Sequence, residues 1–265
     1  MLILISPAKT LDFDTAPVTD RHSEPRFLPD SRKLVKLMRE RSPAELASLM
    51  RISDSLAELN HRRFAQWKTP FRPGNAKQAV LAFRGDVYTG LEADDWRPGD
   101  FEWAQDHLRI LSGLYGVLRP LDLIQAYRLE MGTRVDNPRG SDLYAFWKQR
   151  VTASLAAELE ATRTPMLVNL ASNEYFSAVD TGALPGRILT PVFEDLKNGR
   201  YKIISFFAKR ARGAMASWMI RHRVRSAAKL KDFDVDGYRF DAEASAQAGT
   251  KDAHERLVFR RASAA

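Results

Sequence analysis

Three apolar runs in this 265-residue chain end in side chains able to do chemistry. Lys9 and Thr10 follow Met1 to Ile5, Asp86 and Tyr88 follow Ala79 to Phe83, and Asn169, Ser172 and Glu174 stand at or beyond the end of Met166 to Leu170. A lysine can supply a nucleophilic amine, and paired carboxyl groups can supply an acid and a base. If the runs are parallel strands, their carboxyl ends share one sheet edge and these residues meet in a cleft. Lys9, Asp86, Asn169 and Glu174 therefore form a candidate catalytic set, although each taken singly reads as a loop-capping residue.

The second chemical feature is charge. Between Lys197 and Lys231 stand eleven Lys or Arg residues and no Asp or Glu, whereas the whole chain has 41 basic and 33 acidic residues. All of the net +8 is therefore concentrated in one segment. A charge gathered in one element produces a local field that draws in polyanions, which makes nucleic acid the first expected partner.

Other chemistries find less support. The chain has no cysteine, which excludes disulfides, thiolate catalysis and iron–sulfur ligation. Its five histidines are scattered, none paired at the helical spacing that joins two imidazoles on one metal, so no metal site or cofactor is assigned. No stretch approaches a membrane span. Met1 to Ile5 lacks a basic flank and runs into Ser6-Pro7, which suits a first strand better than a signal peptide and implies a cytoplasmic protein.

The elements that must position these groups follow from periodicity and caps. Ser42-Pro43-Ala44-Glu45 is a capping box, Ser53 opens an amphipathic run toward Trp67, and Leu143 to Ala161 reads as a long helix. Asp100 can cap a helix from Phe101 to Leu111. Strands are expected at Met1 to Ile5, Ala79 to Phe83, Tyr127 to Met131, Met166 to Leu170, Arg187 to Phe193 and Tyr201 to Phe207. Gly237 to Phe240 and Arg256 to Arg260 read as hairpin partners after a helix from about Ala208 to Arg225. Interleaved strands and helices without a repeat or linker predict a single compact α+β domain, a mixed sheet flanked by helices.

Between Ile110 and Asp122 a predicted helix ends, turns through Gly113 and Gly116, and meets a second apolar run. A helix, a glycine hairpin and a second helix can hold a DNA phosphate against backbone N–H groups, with Arg109 and Arg119 as basic flanks. The alternative is a glycine connection that packs Leu114, Val117 and Leu118 into the core. In the basic helix, Ala211, Ala214, Met215, Trp218, Met219 and His222 make one stripe. Arg212 and Arg223 border one side and Arg210 and Arg221 the other, each pair about 16 Å apart along the axis. They read as polyanion contacts or as solvated borders of a buried helix.

Several of these segments resemble the bacterial peroxide-stress YaaA family. They are Ser6 to Thr10, Phe83 to Leu91, Leu111 to Asp122, Tyr127 to Gly132, Asn169 to Phe176 and Lys202 to Gly213. The resemblance runs from Met1 to about Phe259. It implies an α+β fold of its own kind, a helix-hairpin-helix element, a positively charged cleft and binding to DNA, irregular duplexes included. It also implies survival of hydrogen peroxide through low free intracellular iron. Transferred to this chain, the hairpin role falls on Leu111 to Pro120 and the cleft charges on Lys202, Lys209, Arg210 and Arg212. Arg210 stands where the family usually has lysine, and the tail around Gln247 to Glu255 is longer, so no role is assigned after Asp241. Three functions compete: DNA binding without catalysis, an enzyme on damaged nucleic acid using Lys9, Asp86 or Glu174, and an enzyme on a phosphorylated metabolite held by the basic segment.

Overall fold

The computed structural model describes residues 1–251 and 254–262; Asp252 and Ala253, in the long tail, lie outside the described residues. The fold is α+β. Its sheet contains β1 (Leu2–Ile5), β2 (Leu108–Ser112), β3 (Gly116–Leu118), β4 (Met166–Asn169), β5 (Arg187–Lys197), β6 (Arg200–Lys202), β7 (Arg239–Phe240), β8 (Thr250–Lys251) and β9 (His254–Arg261). The order is β7-β9-β5-β4-β1-β2-β3, with β6 paired to β5 and β8 to β9. The five central strands are parallel, and antiparallel strands close the edges. All four residues of β1 are buried, as are all four of β4, because both faces of a parallel sheet are covered.

Helices α1 (Leu28–Arg39), α2 (Pro43–Met50), α3 (Asp54–Gln66), α4 (Asp86–Leu91), α5 (Pro98–His107), α6 (Leu143–Glu160), α7 (Asn173–Phe176) and α8 (Ser205–Arg221) cover this frame. The Ser42–Glu45 capping box starts α2, and the Ser53 hydroxyl caps α3. Asp142 accepts the Ala145 amide at the start of α6. No helix among the described residues is long and apolar enough to cross a membrane.

Four local expectations need correction. Ala79–Ala82 is one helical turn, its first amides donating to the carbonyls of Asp122 and Pro120, and the strand character is confined to Phe83–Arg84. Tyr127 to Met131 alternates buried with half-buried residues but belongs to no strand and ends in a turn at Met131; the alternation records packing on one side only. The strand expected to reach Phe207 stops at Lys202, and Phe206 and Phe207 belong to α8.

The fourth is the helix-hairpin-helix. Leu108–Ser112 and Gly116–Leu118 are antiparallel strands in the register Ile110↔Leu118 and Ser112↔Gly116, so the segment is a β-hairpin closing the sheet edge. A short apolar run cannot be told from a buried helix segment by periodicity, which is why α5 was expected to continue to Leu111. Both glycines serve packing. A Cβ on Gly113 would lie 2.2 Å from the Leu129 carbonyl oxygen, and one on Gly116, at φ +72°, would lie 2.7 Å from the Trp147 ring. The basic flanks are also engaged internally. Arg109 is 5% exposed, donates from Nε to Glu158 at 2.8 Å and from its fork to the carbonyls of Gln105 and Leu108. Arg119 is held by Asp122 at 3.0 Å. Arg109→Ala leaves the carbonyls of Gln105 and Leu108 without this donor, while Arg26 still pairs with Glu158 at 2.9 Å, and is expected to cost about 1–3 kcal/mol in urea denaturation.

Candidate functional site

The site is assembled at the carboxyl end of β1. There the chain turns through Ser6-Pro7-Ala8, and the Ser6 hydroxyl accepts the Ser172 amide at 2.9 Å, tying the loop after β4 to the loop after β1. The Tyr88 phenol donates to the Ser6 carbonyl at 3.1 Å and draws in α4. Thr10–Leu11 then pairs antiparallel with Phe83–Arg84, setting Lys9 beside the Arg84-Gly85-Asp86 turn. Gly85 makes that turn at φ +138°, ψ −176°, a conformation that only glycine adopts readily.

Strands β1 and β4 are neighbours whose chains leave toward opposite sides of the sheet, β1 toward β2 and β4 toward β5. Such a switch point opens a crevice outside the carboxyl ends, and here it holds a pocket of about 470 Å³. Lys9, Asp86, Glu130, Glu174, Lys209 and Arg212 all line it. Three of the expected catalytic residues thus converge beside the basic helix. Asn169 does not join them; it is 4% exposed and its Oδ1 accepts the Ala171 amide, capping the end of β4.

The cations enter through an unusually close helix crossing. A Cβ on Gly213 of α8 would fall 1.8 Å from the Val87 carbonyl oxygen of α4, and one on Gly90 of α4 would fall 2.1 Å from the Arg210 carbonyl oxygen of α8. Only two glycines permit this approach, which places Lys209 3.8 Å from Asp86 and brings Arg212 to the pocket wall. Lys9 pairs with Glu130 at 2.8 Å, and Glu174 accepts the Gly132 amide at 3.1 Å. Arg84 is shared by Asp12 and Asp94 at 3.1 and 3.2 Å. Arg212 has no carboxylate partner among the described residues; burial pulls its pKa down, yet a guanidinium stays charged in a protein. Burial also pushes the Tyr175 phenol well up, so it remains a protonated donor in the pocket lining.

The other expected basic contacts divide differently. Arg210, Arg221 and His222 line a second cavity of about 250 Å³, where Arg210 lies 3.6 Å from Asp236 and Arg221 lies 3.7 Å from Glu92. His222 is exposed and lies tilted against Trp218, ring centroids 5.1 Å apart, rather than continuing the buried stripe. Arg223 is off the helix altogether. At φ +53° it takes the left-handed position of a C-terminal cap in which Val224 N donates to Met219 and Arg223 N to Ile220, and its side chain pairs with Asp100 at 2.8 Å. Lys202 is exposed in β6, with no carboxylate within ion-pair distance among the described residues. Sequence reasoning missed Glu130, whose outward position in the alternating Tyr127 to Met131 segment was the available signal, and Arg84, which follows the short apolar run.

Comparison with known proteins assigns the chain to a family. The family model for "Peroxide stress protein YaaA" matches residues 1–244, a span that includes the pocket, α4 and α8. The chain belongs to that family. The UPF0246 protein RSc2009 of Ralstonia nicotianae is 57% identical over 264 residues, covering 100% of both chains. Membership in the peroxide stress family connects the chain with oxidative stress, and the matched span contains every pocket residue named above.

Proposed function

We propose that this member of the peroxide stress family binds DNA, with α8 set against the phosphate backbone and the pocket receiving one nucleotide of an irregular duplex. The observation that carries the reading is Arg212: a half-buried guanidinium without a carboxylate partner among the described residues, in the wall of a pocket large enough for a small ligand. Lys209 stands one helical turn away, and its only acid among the described residues, Asp86, lies at the long distance of 3.8 Å. Phosphate oxygens satisfy such donors, bidentately in the case of arginine. Low sequence selectivity is part of the proposal, because no Asn or Gln lies among the pocket-lining residues to read a base edge. In the cell, attention to damaged duplex would accompany the limiting of free iron, and no residue is assigned to the metal. The test is a fluorescence-anisotropy titration against duplex DNA over a range of salt. With about four phosphates neutralised, log K should fall against log salt with a slope of about −3.6. A slope near zero removes the proposal.

A second reading rests on the Lys9–Glu130 pair inside the same pocket. Glu130 can take the ammonium proton, leaving an amine to add to the aldehyde carbon of an abasic sugar. Water departs and a Schiff base forms. Removal of the adjacent C2′ proton by a carboxylate then expels the 3′ phosphate. Borohydride should trap wild-type protein on an abasic oligonucleotide and fail with Lys9→Met; an empty trap with wild type leaves binding alone.

A further inference from the structure

Large apolar side chains are seldom left in water, and their distribution on this surface is uneven. Of the seven that are exposed among the described residues, four fall within eleven positions: Leu196, Tyr201, Ile203 and Phe206. Ile203 is 52% exposed and Phe206 55%. Lys197, Arg200 and Lys202 alternate with them, and no carboxylate lies within ion-pair distance of these three among the described residues. The group forms the β5–β6 turn and the first turn of α8.

These side chains are braced rather than loose. Tyr201 lies under the Arg260 guanidinium, 4.4 Å from its ring centroid. Phe206 packs edge-on against Phe207 at 5.6 Å, and Phe207 lies under Arg261, which pairs with the fully buried Asp195. Phe206, Lys209 and Arg212 follow at three-residue spacing, a ridge spanning about 9 Å of helix. The braced apolar tip therefore stands on the same helix as the cations of the pocket wall.

Resting on the DNA-binding reading above, we infer that Phe206, with Ile203 beside it, is a wedge that inserts at a base step and unstacks it, so that the displaced nucleotide enters the pocket lined by Lys209 and Arg212. Charge decides the partner. A wedge flanked in sequence by Lys197, Arg200 and Lys202, which have no carboxylate within ion-pair distance among the described residues, meets a backbone of phosphates on either side of the step it opens. Extrusion costs least where the base is mismatched or damaged, so the wedge makes irregular duplex the preferred substrate through the DNA's own weakness rather than through base readout. It also explains why the apolar tip stands on the helix that brings Lys209 and Arg212 to the pocket wall, an arrangement that insertion into a lipid headgroup layer would not require.

The experiment uses full-length protein and a duplex carrying 2-aminopurine at a single mismatch. Its fluorescence should rise severalfold on saturation with wild type. Phe206→Ala should abolish most of that rise at saturating protein and weaken binding about tenfold, the loss of roughly one stacking contact. Phe206→Trp should restore both, and Lys202→Gln should weaken binding while leaving the saturated signal unchanged. Because Phe206 is exposed, Phe206→Ala should melt with wild type, which a thermal scan checks. DNA binding without a fluorescence rise in wild type, or an undiminished rise in Phe206→Ala, overturns the wedge while leaving DNA binding in place. Absence of salt-dependent binding overturns both. Co-sedimentation with anionic vesicles, together with a silent 2-aminopurine, would assign the patch to a membrane surface and likewise overturn the inference.

Discussion

Gly213→Val should destabilise the protein by at least about 3 kcal/mol and dismantle the pocket. The added carbon would begin 1.8 Å from a backbone carbonyl oxygen of α4 and 2.9 Å from the Leu91 amide nitrogen, neither of which can swing aside as the end of a flexible side chain could. Relief requires α4 and α8 to separate. Overpacking usually costs about 1–3 kcal/mol, and a collision between two backbones belongs at or above the top of that range. The separation would carry Lys209 away from Asp86 and Arg212 out of the pocket wall, so DNA affinity should fall even where the variant remains folded. Gly74→Ala is the control, since nothing lies within 4 Å of its Cβ position and its φ is ordinary. Urea midpoints for the two variants, with anisotropy titrations at a temperature where both are folded, check the prediction. A Gly213→Val protein of wild-type stability would mean that the crossing is not as close as described.

The double variant Lys209→Gln/Arg212→Gln should lose about 100-fold in DNA affinity near 0.1 M salt while keeping its stability within about 1 kcal/mol. Each lost hydrogen bond to a charged group is worth about 1.5 kcal/mol at the low end. If each residue neutralises one phosphate, the magnitude of the salt slope should also fall by about 1.8. Glutamine keeps helix propensity and part of each aliphatic stem, which separates the loss of charge from loss of fold. Arg210→Gln/Arg221→Gln is the internal comparison, because that pair lies over the second cavity beside Asp236 and Glu92 and should change affinity little. Equal losses from both doubles would mean a diffuse field instead of a defined phosphate site, and no loss from either would send the search back to Lys9.

Local signals and long-range ones separated cleanly in this protein. The buried strands at Leu2–Ile5 and Met166–Asn169, the helix at Leu143–Glu160 and the caps at Ser42 and Ser53 were legible because continuous apolar runs, helical periodicity and capping hydroxyls act over a few residues. The meeting of Lys9, Asp86 and Glu174 was legible for a related reason: polar residues beyond parallel strands share an edge whatever lies between them in sequence. The hairpin at Gly113 and Gly116 was not, since burial hides the difference between a short apolar strand and a helix end. Nor was the state of the arginines. The absence of acids from Lys197 to Lys231 was correctly read along the chain, yet Asp236, Glu92 and Asp100 approach Arg210, Arg221 and Arg223 from other elements. Which cation stays free depends on how α8 lies on α4, and that follows from two glycines far apart in sequence whose missing side chains let two backbones touch. Composition determined that this protein carries a concentrated positive charge; tertiary packing decided that Arg212 lines the pocket with no carboxylate partner among the described residues, because charge neutralisation is a property of neighbours in space.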